Sequence, residues 1–190
     1  MTDKPFPFWT EQNATASFSD PGTCETRMTA FEKKVRRRNL IEYIAGGLVI
    51  AMFGVLAVIF AAAGEWLIVA TALAIILAAV FVVMKLHRDG STLGRLPEQS
   101  CREHLRDQLI RQRDLLRGVP KWYVAPFIPG LVGFYAVVSA NIAAQRGWAS
   151  AMEGMWVKLV LTMIVLIFVV WLNVHAAKKL DREIEALDRA

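Results

Sequence analysis

The chain has 190 residues, 55% of them hydrophobic and 21% charged, and its 22 Lys and Arg against 17 Asp and Glu leave a net charge of +5. The apolar residues fall in long unbroken blocks, which excludes an ordinary soluble domain with core positions dispersed along the chain. The sequence has none of the short alternating segments of an outer-membrane barrel, and the first 40 residues hold no apolar stretch of the kind a cleavable signal peptide requires.

Residues 1–24 are rich in Pro, Ser, Thr and Asp and read as a flexible cytoplasmic tail. A helix is expected from about Thr26, with Thr29 and Glu32 spaced as a capping box and Met28, Phe31 and Val35 on one face. It leads into a first span at about 42–63, where 22 uncharged residues separate Glu42 from Glu65. Gly47, Ala51, Gly54 and Ala57 form a stripe of small residues there, along which another helix is expected to approach. A second span, about 66–85, contains the 19 uncharged residues between Glu65 and Lys85.

Past "KLHRDGSTLGRLPEQ", Pro97 suits the first turn of a helix over about 97–117. Glu98 and Glu103 near its start and Arg111, Arg113 and Arg117 near its end complement the helix dipole. Its face of Cys101, Leu105, Leu109 and Leu116 is too interrupted for lipid and needs a protein neighbour. The helix before the first span and the C-terminal extension 176–190, with Ala177, Leu180, Ile184 and Leu187 at heptad-like spacing, are the candidates.

Gly118 and Pro120 close that helix before a third span at about 121–144, whose 24 uncharged residues lie between Lys121 and Arg146. Pro126 and Pro129 each remove a backbone donor, so its first half is expected to kink. A fourth span, about 155–175, lies where His175 is the single ionisable residue between Lys158 and Lys178. About 20 helical residues cross a hydrocarbon core about 30 Å thick, so each block is long enough. The expected fold is all-α: one membrane domain over 25–190, a four-helix transmembrane bundle with a small cytoplasmic layer of amphipathic helices.

With four spans, 20 of the 22 Lys and Arg share one side, leaving Arg146 and Lys158 opposite. The positive-inside bias places that side, with both termini, in the cytoplasm of a bacterial inner membrane. The cluster Lys33, Lys34, Arg36, Arg37 and Arg38 then reads as an anchor drawn to anionic headgroups. No nucleic-acid-binding signature accompanies the charge, so no nucleic-acid partner is expected.

Glu42, beside Tyr43 at the mouth of the first span, is costly unless paired, and Arg37, Arg38 or the arginines of helix 97–117 are its expected partners. Asn141 and Asn173 read as polar helix ends, with interhelical hydrogen bonds the sharper alternative. Cys24 and Cys101 fall on the cytoplasmic side and are expected to stay reduced. In "CREH", Cys101 is expected to face the core and His104 the surface, a zinc site needing more ligands than this pair supplies. His87 and His175 lie at similar depth, a placement that suits haem ligation as well as interfacial side chains; the second reading is adopted, with no cofactor. No nucleophile, base and orienting group can be placed together, and no phosphate loop occurs, so no enzyme is expected.

"RRRNLIEYIAGGLVIAMFG" (Arg36 to Gly54), "KLHRDGS" (Lys85 to Ser91), "QRDLLRGVPKWYVAPFIPG" (Gln112 to Gly130) and "NVHAAKKLDREIEALDRA" at the C-terminal end are together similar to a family of uncharacterised proteobacterial inner-membrane proteins. Members of that family are often encoded near sigma factors of the extracytoplasmic-function type. The resemblance runs from about Phe31 to the end and implies a role in signalling rather than a transferable activity. Typical membrane anti-sigma factors have a soluble N-terminal domain and one span, a layout this chain does not share. The expected function is non-catalytic binding of a protein partner through the basic cytoplasmic helices, in envelope signalling or a membrane complex. The alternative is a small transporter or channel subunit using the kinked third span and a polar path past Glu42, Tyr43, Ser139 or Asn141. A homo-oligomer is compatible with either.

Overall fold

The computed structural model describes residues 21–91 and 99–189, and all its regular structure is helical. Helix α1 runs over Pro21–Ala62, α2 over Trp66–Asp89, α3 over Cys101–Arg117 and α4 over Phe127–Arg189, with a π-helical turn at Pro120–Val124 between the last two. Three of these, α1, α2 and α4, are long and apolar enough to cross a membrane. Their exposed Leu48, Val55, Leu67, Leu77 and Ile167 suit a lipid solvent, and the chain is a membrane protein by that criterion.

Helix α1 is already formed at Pro21, the first of the described residues. The capping box expected at Thr29 and Glu32 is therefore overtaken: Thr29 lies inside the helix and its hydroxyl donates to the Glu25 carbonyl at 2.9 Å. The flexible tail expected over 1–24 is helical at 21–24, and residues 1–20 lie outside the described residues. At the other end, Gly64 takes φ +79° to reverse the chain into α2.

Helix α2 is the central element, packed against both α1 and α4. Its buried Ile68, Ala72, Ile75, Ala79, Val82 and Leu86 follow steps of three and four. Close approach is set by glycine, but not by the expected stripe in α1. A Cβ on Gly47 or Gly54 would meet nothing within 4 Å, whereas one on Gly46 would stand 2.6 Å from Val83 Cγ2. The seam is turned by one residue at Gly46, about 100° around the helix, while Ala57 of the expected stripe is buried. From α4, a Cβ on Gly130 would fall 2.7 Å from Ile75 Cγ1 and 3.1 Å from the Ile75 backbone nitrogen. Gly130→Ala is therefore expected to destabilise by about 1–3 kcal/mol through overpacking, while Gly47→Ala gains up to about 1 kcal/mol of helix propensity. Unfolding free energies in one detergent test this, and shifts of the same sign for both would count against the assigned seam.

The start of α3 also differs from expectation. The helix expected over about 97–117 runs from Cys101 with Ser100 as its cap, and Pro97 lies outside the described residues; Ser100 and Glu103 form a reciprocal capping box. Gly118 ends the helix, and the Ala125 N–H then bonds the carbonyl of Pro120, five residues back, at 3.2 Å. This widened turn sits immediately before Pro126, which has no N–H to give. Pro129 does not add a break, because it lies in the first turn of α4 where no donor is required.

Helix α4 is interrupted once, at Gly147 with φ +80° and ψ 160°. The two arms, 127–146 and 148–189, fold against each other, and the Tyr135 and Thr162 hydroxyls meet across them at 2.6 Å. Beyond the apolar part of the second arm, Ala177, Leu180 and Ile184 pack on Leu105, Leu109 and Leu116 of α3, with Phe31 and Leu187 at the margin. The amphipathic faces expected to meet do meet here.

Candidate functional site

The densest polar chemistry lies where α1, α2 and α3 converge. A helix end leaves carbonyls without intrahelical donors, and α2 ends inside the protein. Its Gly90 carbonyl accepts from Asn39 Nδ2 at 2.7 Å and from Gln112 Nε2 at 3.3 Å. Arg111 donates through Nε to the Asp89 carbonyl and through Nη2 to the Arg88 carbonyl, each at 3.2 Å. Side chains of α1 and α3 thus finish the helix that neither belongs to. Gly90 must be glycine for space, since a Cβ would lie 2.6 Å from the Leu86 carbonyl oxygen.

Arg38 closes the network from α1. Its Nη2 donates to Gln112 Oε1 at 2.8 Å and to Asn39 Oδ1 at 3.1 Å. Burial lowers the pKa of Arg38 from its ordinary value, and the charge of Glu42 raises it. Among the described residues the partners of the guanidinium are both amide oxygens, and Glu42 stands beyond ion-pair contact. Glu42 also faces Tyr123, while Tyr43 lies against His87 with ring centroids 6.4 Å apart. Arg37 is exposed. The link between the apolar helices and α3 runs through Arg38, Asn39 and Gln112 as hydrogen bonds rather than through a Glu42 ion pair.

The other expected site residues divide differently. Arg113 lies 2.8 Å from Asp114 and 3.6 Å from Asp181, and Arg117 lies 2.7 Å from Asp181, so both fasten α3 to α4. Arg106 pairs with Asp188 at 2.7 Å, and this contact holds the Asp188 carboxyl below the usual carboxylate range. Asn141 Nδ2 bonds Glu65 Oε2 across helices at 3.1 Å, whereas Asn173 bonds the Val169 carbonyl of its own helix at 2.8 Å.

Two readings of α3 are corrected. His104 is 2% exposed rather than on the surface. It lies 3.1 Å from Gln108 Nε2 and 3.4 Å from Gln99 Oε1. A neutral ring with Nδ1 protonated satisfies both amides. His104, Gln108 and Gln112 recur every four residues, which places them on one face beside the leucine face. Cys101 is disulfide-bonded rather than reduced. The sequence holds one other cysteine, Cys24, whose side chain lies outside those described. His175 stacks on Trp171, and among the described residues no three His, Cys, Asp or Glu side chains gather as metal ligands.

Two cavities matter. One of about 550 Å³ between the arms of α4 is lined by Tyr135, Ser139, Met155 and Thr162 among apolar side chains. The other, about 340 Å³, is a groove between α1, α3 and the second arm of α4 that includes Arg38, Glu42 and Asn173. Ser139 and Glu42, expected on one path, line different spaces, and Asn141 lines neither.

Compared with known protein families, curated proteins and solved structures, the chain matches none.

Proposed function

We propose that the chain is a four-span bacterial inner-membrane protein, without catalysis, whose basic end lies in the cytoplasm and binds a protein partner in envelope signalling or a membrane complex. In this reading each arm of α4 is one span and Gly147 lies at the outer turn. The observation that carries it is the division of labour among the cations. Arg111, Arg113 and Arg117 are engaged within the molecule, while Lys33, Lys34, Arg36 and Arg37 of α1 and Lys178, Lys179 and Arg182 of α4 are exposed. The docking surface thus moves from α3 to the outer faces of its two neighbours. The sequence resemblance to proteins encoded beside sigma factors favours signalling as the setting.

A disulfide at Cys101 argues for an oxidising compartment on the same side. The charge bias outweighs it, because insertion reads Lys and Arg summed over the loops, and 20 of 22 lie on this side. Reporter fusions after Ala190 decide the orientation: a cytoplasmic reporter active and a periplasmic one silent is the expected result. Crosslinking in native membranes followed by affinity purification should then recover one stoichiometric partner that charge reversal at Lys33, Lys34, Arg36 and Arg37 releases. Retention of the partner by that variant would refute the surface assignment.

A further inference from the structure

The groove between α1, α3 and the second arm of α4 combines two kinds of lining. Phe31, Val35, Leu116 and Leu172 supply apolar walls, and Lys34, Arg38 and Lys179 supply cations. By chain position, Leu172 and Asn173 belong to the inner end of an apolar arm, and Lys179 stands two helical turns further out. The groove therefore passes from oily to charged in the direction in which a lipid does. Arg38 is the distinguishing group. A half-buried guanidinium has five donors, and the described residues offer it two amide oxygens, both at Nη2. No carboxylate is in ion-pair contact with it, and the planar fork suits phosphate oxygens. Glu42 and Glu183 also line the groove, leaving its cations in excess by one.

We propose that this groove is a specific site for one anionic phospholipid, its phosphate held by Arg38 between Lys34 and Lys179 and one acyl chain lying along Leu172. The site rests on the membrane orientation given above but not on the protein partner. It differs from general attraction to headgroups, because Lys33 and Arg182 carry the same charge on the same helices without lining the groove.

The test uses the full chain reconstituted in vesicles of phosphatidylcholine, with or without phosphatidylglycerol, and reads lipid retained after extraction by native mass spectrometry. Wild-type protein is expected to retain phosphatidylglycerol in preference to phosphatidylcholine at one copy per chain. Lys34→Gln with Lys179→Gln lowers that retention about tenfold, each lysine near the headgroups contributing a fewfold factor. Lys33→Gln with Arg182→Gln changes it less than twofold. Arg38→Lys, which keeps the charge and loses the fork, also lowers it. Equal retention of the two lipids, or equal loss in the two double variants, overturns the site. Displacement of the lipid by inorganic phosphate would make it a soluble-anion site and overturns it too. A chain that fails to enter vesicles fails the membrane reading itself, whereas one that enters without lipid preference fails only this inference.

Discussion

Gly147→Val separates the two arms of α4 and costs about 3 kcal/mol or more. At φ +80° and ψ 160° the backbone occupies a region essentially closed to residues with a Cβ, where ordinary side chains cost about 1–3 kcal/mol and β-branched ones more. The strain can be relieved by letting the helix run on. A continuous helix of 63 residues would be about 95 Å long, three times the thickness of a hydrocarbon core. Straightening would thus carry the second arm away from the first and break the Tyr135–Thr162 contact. Cysteines placed at positions 135 and 162, in a chain lacking its native cysteines, should crosslink in the parent and not beside Gly147→Val. Gly154→Val is the control, since Gly154 has no positive φ and nothing within 4 Å of its Cβ position. Equal crosslinking in all three proteins would remove Gly147 from its assigned role.

The second large effect concerns the polar convergence. Gln112→Leu deprives Arg38 of its 2.8 Å acceptor and Gly90 of one donor. Removing one of the two acceptors of a partly buried cation, with Asn39 Oδ1 left in place, is expected to cost about 1–3 kcal/mol. Arg38→Met in the Gln112→Leu background should recover part of that loss, because an apolar pair of similar volume needs no solvation. A double-mutant cycle in detergent should give a coupling of about 1–3 kcal/mol. Additive single losses would show that the two side chains act independently.

The contrast between these regions reflects what a linear pattern can carry. The α3 face of Leu105, Leu109 and Leu116 and its partner face of Ala177, Leu180 and Ile184 were legible because charged and polar residues occupy the rest of each helix there. There, apolar spacing marks the buried direction. The Ser100–Glu103 capping box is equally present in the sequence, as "SCRE", three residues past the Pro97 that points to an earlier start. Arg38 could be flagged by its position at the mouth of a span, but not its bond to Gln112, which lies 74 residues away in the chain.

Block length thus determined by itself that the chain is helical and holds stretches long and apolar enough for lipid, though it counted four where the structure has three such helices, the last interrupted at Gly147. Tertiary structure alone decided that Gly46 rather than Gly47 lies on the seam, that Gly130 meets Ile75, and that Asn39, Gln112 and Arg111 complete the end of α2. The physical reason is the solvent. A helix in lipid is apolar on both its packed and its exposed face, so hydrophobic periodicity carries no direction, and contacts follow from shape and from unpaired carbonyls that only the assembled helices bring together.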